Sequence, residues 1–318
     1  MTSSARPTLL LTGSIMESVV ERQLADRFTL APLADLDRLD AGTVRAIATR
    51  GGRPVDAALM ARLPALEIVA NFGVGYDTVD AQAAAARGVL VTHTPDVLDE
   101  EVADLAVGLL LAAVRRLPQA DRFVRAGGWL KGAFPLTATL RGRTVGLVGM
   151  GRIGRAIARR LEAFGVGLAY HSRRPVADVA YPHYPDLTAM AAAVDTLVVI
   201  VPGGPATRNM VDAAVLAALG PQGVLVNVAR GSVVDEAALL AALQAGTLLA
   251  AGLDVFADEP RVPEAFFALE NVVLLPHVGS ATTFTREAMG QLVVDNLFSW
   301  LDGKGPLTPV LETPWPKP

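Results

Sequence analysis

Residues 144–174 constrain the chain more than any other stretch. Thr144-Val-Gly-Leu-Val148 reads as a short buried strand, and Gly149-Met-Gly151-Arg-Ile-Gly154 follows it at once. An Ala/Arg/Leu-rich run then leads to Phe164-Gly165, and Leu168-Ala-Tyr-His171 reads as a second strand. A strand, a Gly-x-Gly-x-x-Gly turn, a helix and a strand form the unit that a dinucleotide needs. Gly149 permits the tight turn, Gly151 lets the backbone approach a pyrophosphate, and Gly154 lets helix and strand pack closely. Arg152 and Ile153 open the helix, whose N-terminal N–H groups face the anion. On their own the glycines would mark an ordinary turn; the two flanking strands make the cofactor reading.

The end of the second strand refines it. An NAD site usually carries Asp or Glu about 20 residues past the glycines, accepting hydrogen bonds from the ribose hydroxyls. Here the strand runs into Ser172-Arg173-Arg174, and the next acid is Asp178. A carboxylate would repel a 2′-phosphate, whereas a hydroxyl and two guanidiniums would bind it. The expectation is NADP(H) over NAD(H); the alternative is that Arg173 and Arg174 are solvated loop charges.

Bulk properties bound the rest. A chain of 318 residues with 52% hydrophobic and 19% charged residues has room for two cored domains. A net charge of −4 leaves no basic excess for binding nucleic acid. With no cysteine, disulfides, thiolate metal sites and a Cys nucleophile are excluded. Met1-Thr-Ser-Ser-Ala-Arg-Pro7 leads straight into a short strand without a signal-peptide layout. The most apolar helix, 102–114, contains Asp104 and is too short to cross a bilayer. A cytoplasmic protein with no membrane partner is expected.

Short apolar runs at 8–12, 45–49, 67–71 and 89–92 alternate with helical patterns near 15–25, 55–63 and 78–87. This predicts a smaller parallel-sheet domain ending near Thr94-Pro95. A single long helix from Asp99 to about Arg125, stopped by Gly127-Gly128, leads into a second domain. Strands are expected there at 144–149, 167–172, 196–201, 223–228, 249–254 and 272–276, a doubly wound dinucleotide fold. Met289, Leu292, Val293, Leu297, Trp300 and Leu301 give a helical spacing over 286–302, ended by Gly303 and Gly305. Five prolines fill the tail 306–318. The fold class is α/β: two doubly wound parallel-sheet domains.

In open α/β sheets ligands bind beyond the carboxyl ends of the strands. The expected strands end there in Pro202-Gly203-Gly204, Asn227-Val228-Ala229-Arg230, Asp254 with Asp258-Glu259-Pro260, and Pro276-His277-Val278-Gly279. A hydride acceptor beside a nicotinamide needs a fixed cation for its carboxylate and carbonyl, which the planar fork of Arg230 supplies. It needs a proton donor for the developing alkoxide, a task suited to an imidazole such as His277. Glu259 is available to orient that ring. Singly, each residue has a bland reading as a surface pair, a structural histidine or a turn. Jointly, at successive strand ends, they point to a catalytic set.

These motifs, with Asn71-Phe-Gly73-Val-Gly75-Tyr-Asp77 and Val102-Ala-Asp104-Leu-Ala-Val-Gly-Leu-Leu110, closely resemble the D-2-hydroxyacid dehydrogenase family. The branch resembled is that of the glyoxylate/hydroxypyruvate and hydroxyphenylpyruvate reductases. The resemblance implies Arg230, Glu259 and His277 as catalytic residues and Asp254 on the nicotinamide carboxamide. Pro202, Thr207, Val228, Ala229 and Gly279 join the cofactor contacts. Backbone N–H groups of Val74 and Gly75, with Gly52, bind the substrate together with Arg230 and His277. It also implies a homodimer, and a Rossmann cofactor domain (99–283) inserted in a smaller flavodoxin-like substrate domain (1–98 plus 284–318). Closure around a two-domain cleft is expected, with hinges near 95–100 and 282–286. Val201-Pro-Gly-Gly-Pro205 departs from the Pro-Leu-Thr of the wider family and weakens the transfer at Thr207.

Other residues carry less. Gly51-Gly52 reads equally as a tight turn or an anion loop. His93, His171 and His183 lack ligand spacing, and no metal site is expected. Asp99, Glu100, Glu101 and Asp104 suit a helix N-terminus. Arg152, Arg155, Arg159 and Arg160 read as a solvated helix face, and Trp129 as a packing residue before a pocket or dimer contact. The expected activity is NADPH-dependent reduction of a small 2-keto acid, glyoxylate or hydroxypyruvate, to its D-2-hydroxy acid. Aryl-pyruvate reduction, an oxidising phosphite or formate dehydrogenase, and a corepressor-like nucleotide-sensing binding protein are the rivals.

Overall fold

A computed structural model of the chain describes residues 6–316. The leader reading rests mostly on residues 1–5, and Pro318 of the tail also lies outside the described residues. The chain forms two compact units, one from residues up to Leu98 joined by those from Thr282 onward, the other Asp99–Ala281.

The first unit is built on strands β1 (Thr8–Leu11), β2 (Thr29–Pro32), β3 (Val44–Thr49), β4 (Ile68–Asn71) and β5 (Leu90–Thr92). Their order is β2-β1-β3-β4-β5, every pairing parallel, the flavodoxin-like arrangement. A parallel sheet covered on both faces needs continuous apolar runs rather than alternation, and β1 and β4 are buried at every position. Asp56 and Asp80 cap the intervening helices by accepting from Leu59 N–H and Ala83 N–H. The helix Thr283–Leu301, capped by the Thr282 hydroxyl, returns to this unit. Gly290 lets it approach closely, since a Cβ there would lie 2.5 Å from a Val20 methyl. Buried Asn296 then fastens the returning tail, donating to Thr308 Oγ1 and accepting from Leu307 N–H and Thr308 N–H.

Four strands were expected here and five are found. The extra one, β2, is an edge strand with one buried residue that ends on proline. Proline is tolerated at an edge, and so short and little-buried a strand has little pattern to betray it.

The second unit holds β6 (Thr144–Val148), β7 (Gly167–His171), β8 (His183–Tyr184), β9 (Thr196–Val199), β10 (Val224–Asn227), β11 (Ala250–Leu253) and β12 (Val272–Leu274). The sheet is parallel throughout in the order β12-β11-β10-β9-β6-β7-β8. That is the Rossmann winding with its reversal between β6 and β9. The two-residue edge strand β8 escaped the sequence pattern for want of length. Val148, Leu197, Leu225 and Leu253 from the sheet pack with Leu216, Leu239 and Leu243 from the helices.

The expected single helix from Asp99 to Arg125 is two. Asp99–Arg115 ends, Arg116 turns left-handed at φ 52°, and Leu117–Arg125 restarts with Pro118 in its first turn. Pro118 has no N–H to donate and its ring would strike the carbonyl four residues back, so the continuous helix is not available. The charged residues on Asp99–Arg115 also do more than answer the helix dipole. Glu100 pairs with Arg159 and Arg160, and Asp104 with Arg160, tying this helix to Arg152–Glu162. Arg159 and Arg160 are therefore not merely a solvated face.

Buried Arg143 fastens the opposite, amino edge of the second sheet. Its guanidinium donates to the carbonyls of Thr139, Asp195 and Gln222 and pairs with the Asp195 carboxylate. Arg143→Met removes these donors while keeping much of the volume. Orphaned carbonyls cost about 1 kcal/mol or more each. The variant should lose about 3 kcal/mol by urea unfolding, with nucleotide affinity retained because the binding edge lies at the other end of the strands.

Candidate functional site

The turn after β6 is shaped by what surrounds it. Gly149 has φ 111°, and a Cβ there would lie 3.1 Å from the Ile200 carbonyl. A Cβ on Gly154 would sit 2.4 Å from the Gly149 carbonyl, whereas one on Gly151 would meet nothing. Gly154 is thus required for helix–strand contact, and Gly151 keeps an open approach to the helix Arg152–Glu162. No side chain caps that helix, so its first N–H groups are left for an anion. The site's donor chemistry fits a dinucleotide pyrophosphate.

Beyond β7, the Ser172 hydroxyl donates to the Arg174 carbonyl at 2.6 Å. The side chains of Arg173 and Arg174 are exposed, and neither forms an ion pair among the described residues. The next acid, Asp178, is exposed at φ 61°. Uncompensated guanidiniums at this strand end suit a phosphate.

Three further strand ends are each fixed by a polar side chain, buried in the case of Asn227 and Asp254. Asn227, the last residue of β10, accepts from Ala229 N–H and donates to the Arg230 carbonyl, shaping the turn that presents Arg230. Val228 and Ala229 are buried beside it. Asp254, after β11, receives Val278 N–H on one carboxylate oxygen and Gly279 N–H on the other, both at 2.8 Å, while its carbonyl accepts from His277 N–H. Burial pushes its carboxyl above the ordinary range, although these two bonds and the nearby His277 pull the other way. Its grip holds His277 at φ 54°. The Thr207 hydroxyl donates to the Pro202 carbonyl at 2.7 Å, closing the loop after β9 on itself.

The three residues singled out for chemistry come together. His277 Nδ1 lies 2.7 Å from Glu259 Oε2, and Phe256 N–H donates to Glu259 Oε1 at 3.0 Å. Burial alone would raise the Glu259 carboxyl. The bonds from His277 and Phe256, with the charges of His277 and Arg230, outweigh it and hold the group below its usual range. Arg230 also donates to the Ala229 carbonyl. A carboxylate can only accept, so Nδ1 of His277 carries a hydrogen and Nε2 faces away from the acid. Gly231 makes the close packing possible, since a Cβ there would fall 1.8 Å from the Phe256 carbonyl carbon.

In the first unit, the loop after β4 has the carbonyls of Gly73, Val74 and Gly75 engaged. Asn71 donates to the Gly73 and Gly75 carbonyls, Thr94 N–H to Gly73, and His93 Nδ1 to Val74 at 2.9 Å. With its carbonyls taken inward, the loop turns toward donor chemistry at Val74 and Gly75. Asn71 and His93 were not given this task by the sequence; Asn71 lay in the motif, and His93 lacked any signal. Gly51 and Gly52 both have positive φ, 83° and 82°, after β3, a turn whose conformation needs glycine. Trp129 is 72% exposed, so it is not the intrachain packing residue the sequence suggested. Among the described residues no cluster of acids and histidines could hold a metal ion, and no helix is long and apolar enough to cross a membrane.

A model of the D-isomer specific 2-hydroxyacid dehydrogenase NAD-binding domain matches residues 107–279. The chain belongs to this family. It is 48% identical over 302 residues to a glyoxylate/hydroxypyruvate reductase A of Arabidopsis thaliana, covering 93% of this chain and 96% of the relative. It is 46% identical over 302 residues to a hydroxyphenylpyruvate reductase of Plectranthus scutellarioides, with the same two coverages of 93% and 96%. Among solved structures, an NADPH-dependent glyoxylate/hydroxypyruvate reductase from Sinorhizobium meliloti, in complex with NADP and malonate, superposes with a TM-score of 0.93. It is 56% identical to this chain and covers 99% of both chains. This D-2-hydroxyacid dehydrogenase is accordingly an oxidoreductase with two parallel-sheet α/β units.

The Glu259–His277 pair can be tested directly. In Glu259→Gln the amide oxygen keeps the Phe256 N–H bond, which turns the amide NH2 toward His277 Nδ1. Nitrogen NMR of the imidazole should then report the neutral ring protonated on Nε2 instead of Nδ1. An Nδ1–H ring in the variant would contradict the geometry.

Proposed function

We propose that this dehydrogenase reduces a small 2-keto acid, glyoxylate or hydroxypyruvate, to the D-2-hydroxy acid at the expense of NADPH. The observation that carries this reading is the 2.7 Å bond between His277 and Glu259, with the Arg230 charge acting on the same carboxylate, on a dinucleotide fold. The cofactor assignment rests on the Ser172-Arg173-Arg174 loop and is supported by the NADP bound to the Sinorhizobium meliloti relative. Gly149, Gly151, Gly154, Arg152 and Ile153 hold the pyrophosphate through backbone groups.

When bound, the nicotinamide supplies a hydride to the keto carbon. The protein's own groups do the rest. His277 donates the proton from Nε2 to the carbonyl oxygen as it becomes an alkoxide, and Glu259 stabilises the ring while it is positively charged. Arg230 holds the keto acid's oxygens in a planar fork and offsets the developing negative charge. In the first unit, the Val74 and Gly75 N–H groups take the substrate carboxylate, with Gly52 on the neighbouring loop. The first unit thus has the substrate role and the second the cofactor role. Asp254 has a second task beside its proposed contact to the carboxamide: it fixes the loop that carries His277.

The 46% identical hydroxyphenylpyruvate reductase favours an aryl-pyruvate as the second substrate to try. We assign the chain to the cytoplasm as a homodimer without nucleic-acid partners. Support for the dimer comes from the apolar segment on which Val124, Trp129, Leu130 and Leu136 are exposed at 55%, 72%, 94% and 101%. A second copy of this chain would cover such a surface.

NADPH oxidation with glyoxylate and hydroxypyruvate should exceed that with phenylpyruvate, and NADPH should beat NADH in kcat/KM. No turnover with any 2-keto acid would leave a binding protein instead. His277→Ala should lower kcat by about 10²- to 10⁴-fold, whereas Arg230→Lys should raise KM as well. Wild-type turnover in His277→Ala would remove the imidazole from the reaction.

A further inference from the structure

The histidines that the reaction does not use are not idle. β8 is only two residues long, yet its pairing with β7 is reinforced by crossed side-chain bonds. His171 Nδ1 lies 2.9 Å from the Tyr184 carbonyl, and His183 Nε2 lies 2.9 Å from the Ser172 carbonyl. A carbonyl oxygen can only accept, so each of these ring nitrogens carries the hydrogen. The His183 ring also lies 5.1 Å from that of buried Tyr170. The Tyr170 hydroxyl accepts from Val176 N–H at 3.0 Å.

These bonds enclose one short loop. Residues 172–176 are held at the start by His183 on the Ser172 carbonyl and inside by the Ser172 hydroxyl on the Arg174 carbonyl. Tyr170 holds the far end. Between those points, Arg173 and Arg174 are exposed. Arginine side chains lose much rotamer freedom when they grip a ligand, so a fixed backbone lowers the cost of ordering them on a phosphate.

We propose that His183 is a positioning residue for cofactor selectivity. By donating from Nε2 to the Ser172 carbonyl, it fixes the Ser172-Arg173-Arg174 loop in the conformation that receives a 2′-phosphate. It touches the loop backbone and not the dinucleotide. This rests on the NADP(H) reading above, and the two can fail separately.

The test uses two adenosine fragments that differ in the 2′-phosphate, 2′,5′-ADP and 5′-AMP, bound to the full chain and followed by calorimetry. His183→Phe keeps a ring against Tyr170 but has no donor. Its Kd for 2′,5′-ADP should rise three- to tenfold, about the worth of one hydrogen bond, with the Kd for 5′-AMP unchanged within twofold. His183→Gln, whose amide can reach the same carbonyl, should restore 2′,5′-ADP binding to within twofold of wild type. Equal weakening of both fragments, or no change in either, would overturn the proposal. So would a His183→Gln variant as weak as His183→Phe. If the wild-type chain binds 2′,5′-ADP no more tightly than 5′-AMP, the NADP(H) reading itself fails. If it discriminates and His183→Phe discriminates equally, only the role of His183 falls. Should His183→Phe not fold, nitrogen NMR of the wild-type imidazole decides. The neutral His183 ring should carry its hydrogen on Nε2, with that signal shifting on adding 2′,5′-ADP and staying in place with 5′-AMP. A ring protonated on Nδ1 would refute the contact, and a signal indifferent to both fragments would overturn the role in selectivity.

Discussion

The buried carboxylate of Asp254 supports the rest of the site. At 2% exposure its charge is costly, and burial raises its pKa accordingly. What offsets that cost is a pair of charge-assisted bonds from Val278 and Gly279, each worth about 1.5–3 kcal/mol. The same bonds hold His277 in a left-handed conformation, which costs a non-glycine residue about 1–2 kcal/mol. The imidazole is thereby delivered to Glu259, which is itself aimed by Phe256 N–H. The geometry around His277 is a property of the loop, and the loop is a property of Asp254.

The same device recurs at other strand ends. Asn71 closes β4 and Asn227 closes β10, at 2% and 1% exposure. Each sends its side chain into the loop that follows, Asn71 to the Gly73 and Gly75 carbonyls and Asn227 to Ala229 and Arg230. In a wholly parallel sheet every strand delivers its carboxyl end to one edge. An apolar strand finished by one buried polar residue therefore gives a rigid platform followed by an ordered loop. The amino edge of the second sheet is fastened separately, through Arg143.

Much of this was legible in the chain. Gly149, Gly151 and Gly154 announced the dinucleotide turn because each glycine answers a different steric demand, and Arg230, Glu259 and His277 stood out as reactive groups after apolar runs. The edge strands β2 and β8 were missed because two to four residues carry no usable periodicity. The break at Arg116 was missed although Pro118 announced it, since the apolar pattern alone runs through both helices. His93 and His183 had no motif, and their partners are carbonyls, groups that every residue carries and no sequence pattern marks. Trp129 was misjudged for a related reason: aromatic character suggests burial without saying in what.

What the sequence determined by itself is therefore the kind of protein. Periodicity, glycine spacing and the absence of a carboxylate at Ser172-Arg173-Arg174 are local properties, written in adjacent residues. Only the tertiary structure decided which groups meet. The pairing of His277 with Glu259, the grip of Asp254 on Val278 and Gly279, and the bond from His183 to Ser172 join residues 11 to 25 positions apart. Such contacts depend on how loops close after the strands have been set side by side, and that closure is fixed by packing and hydrogen bonds across the sheet rather than by any neighbouring residue.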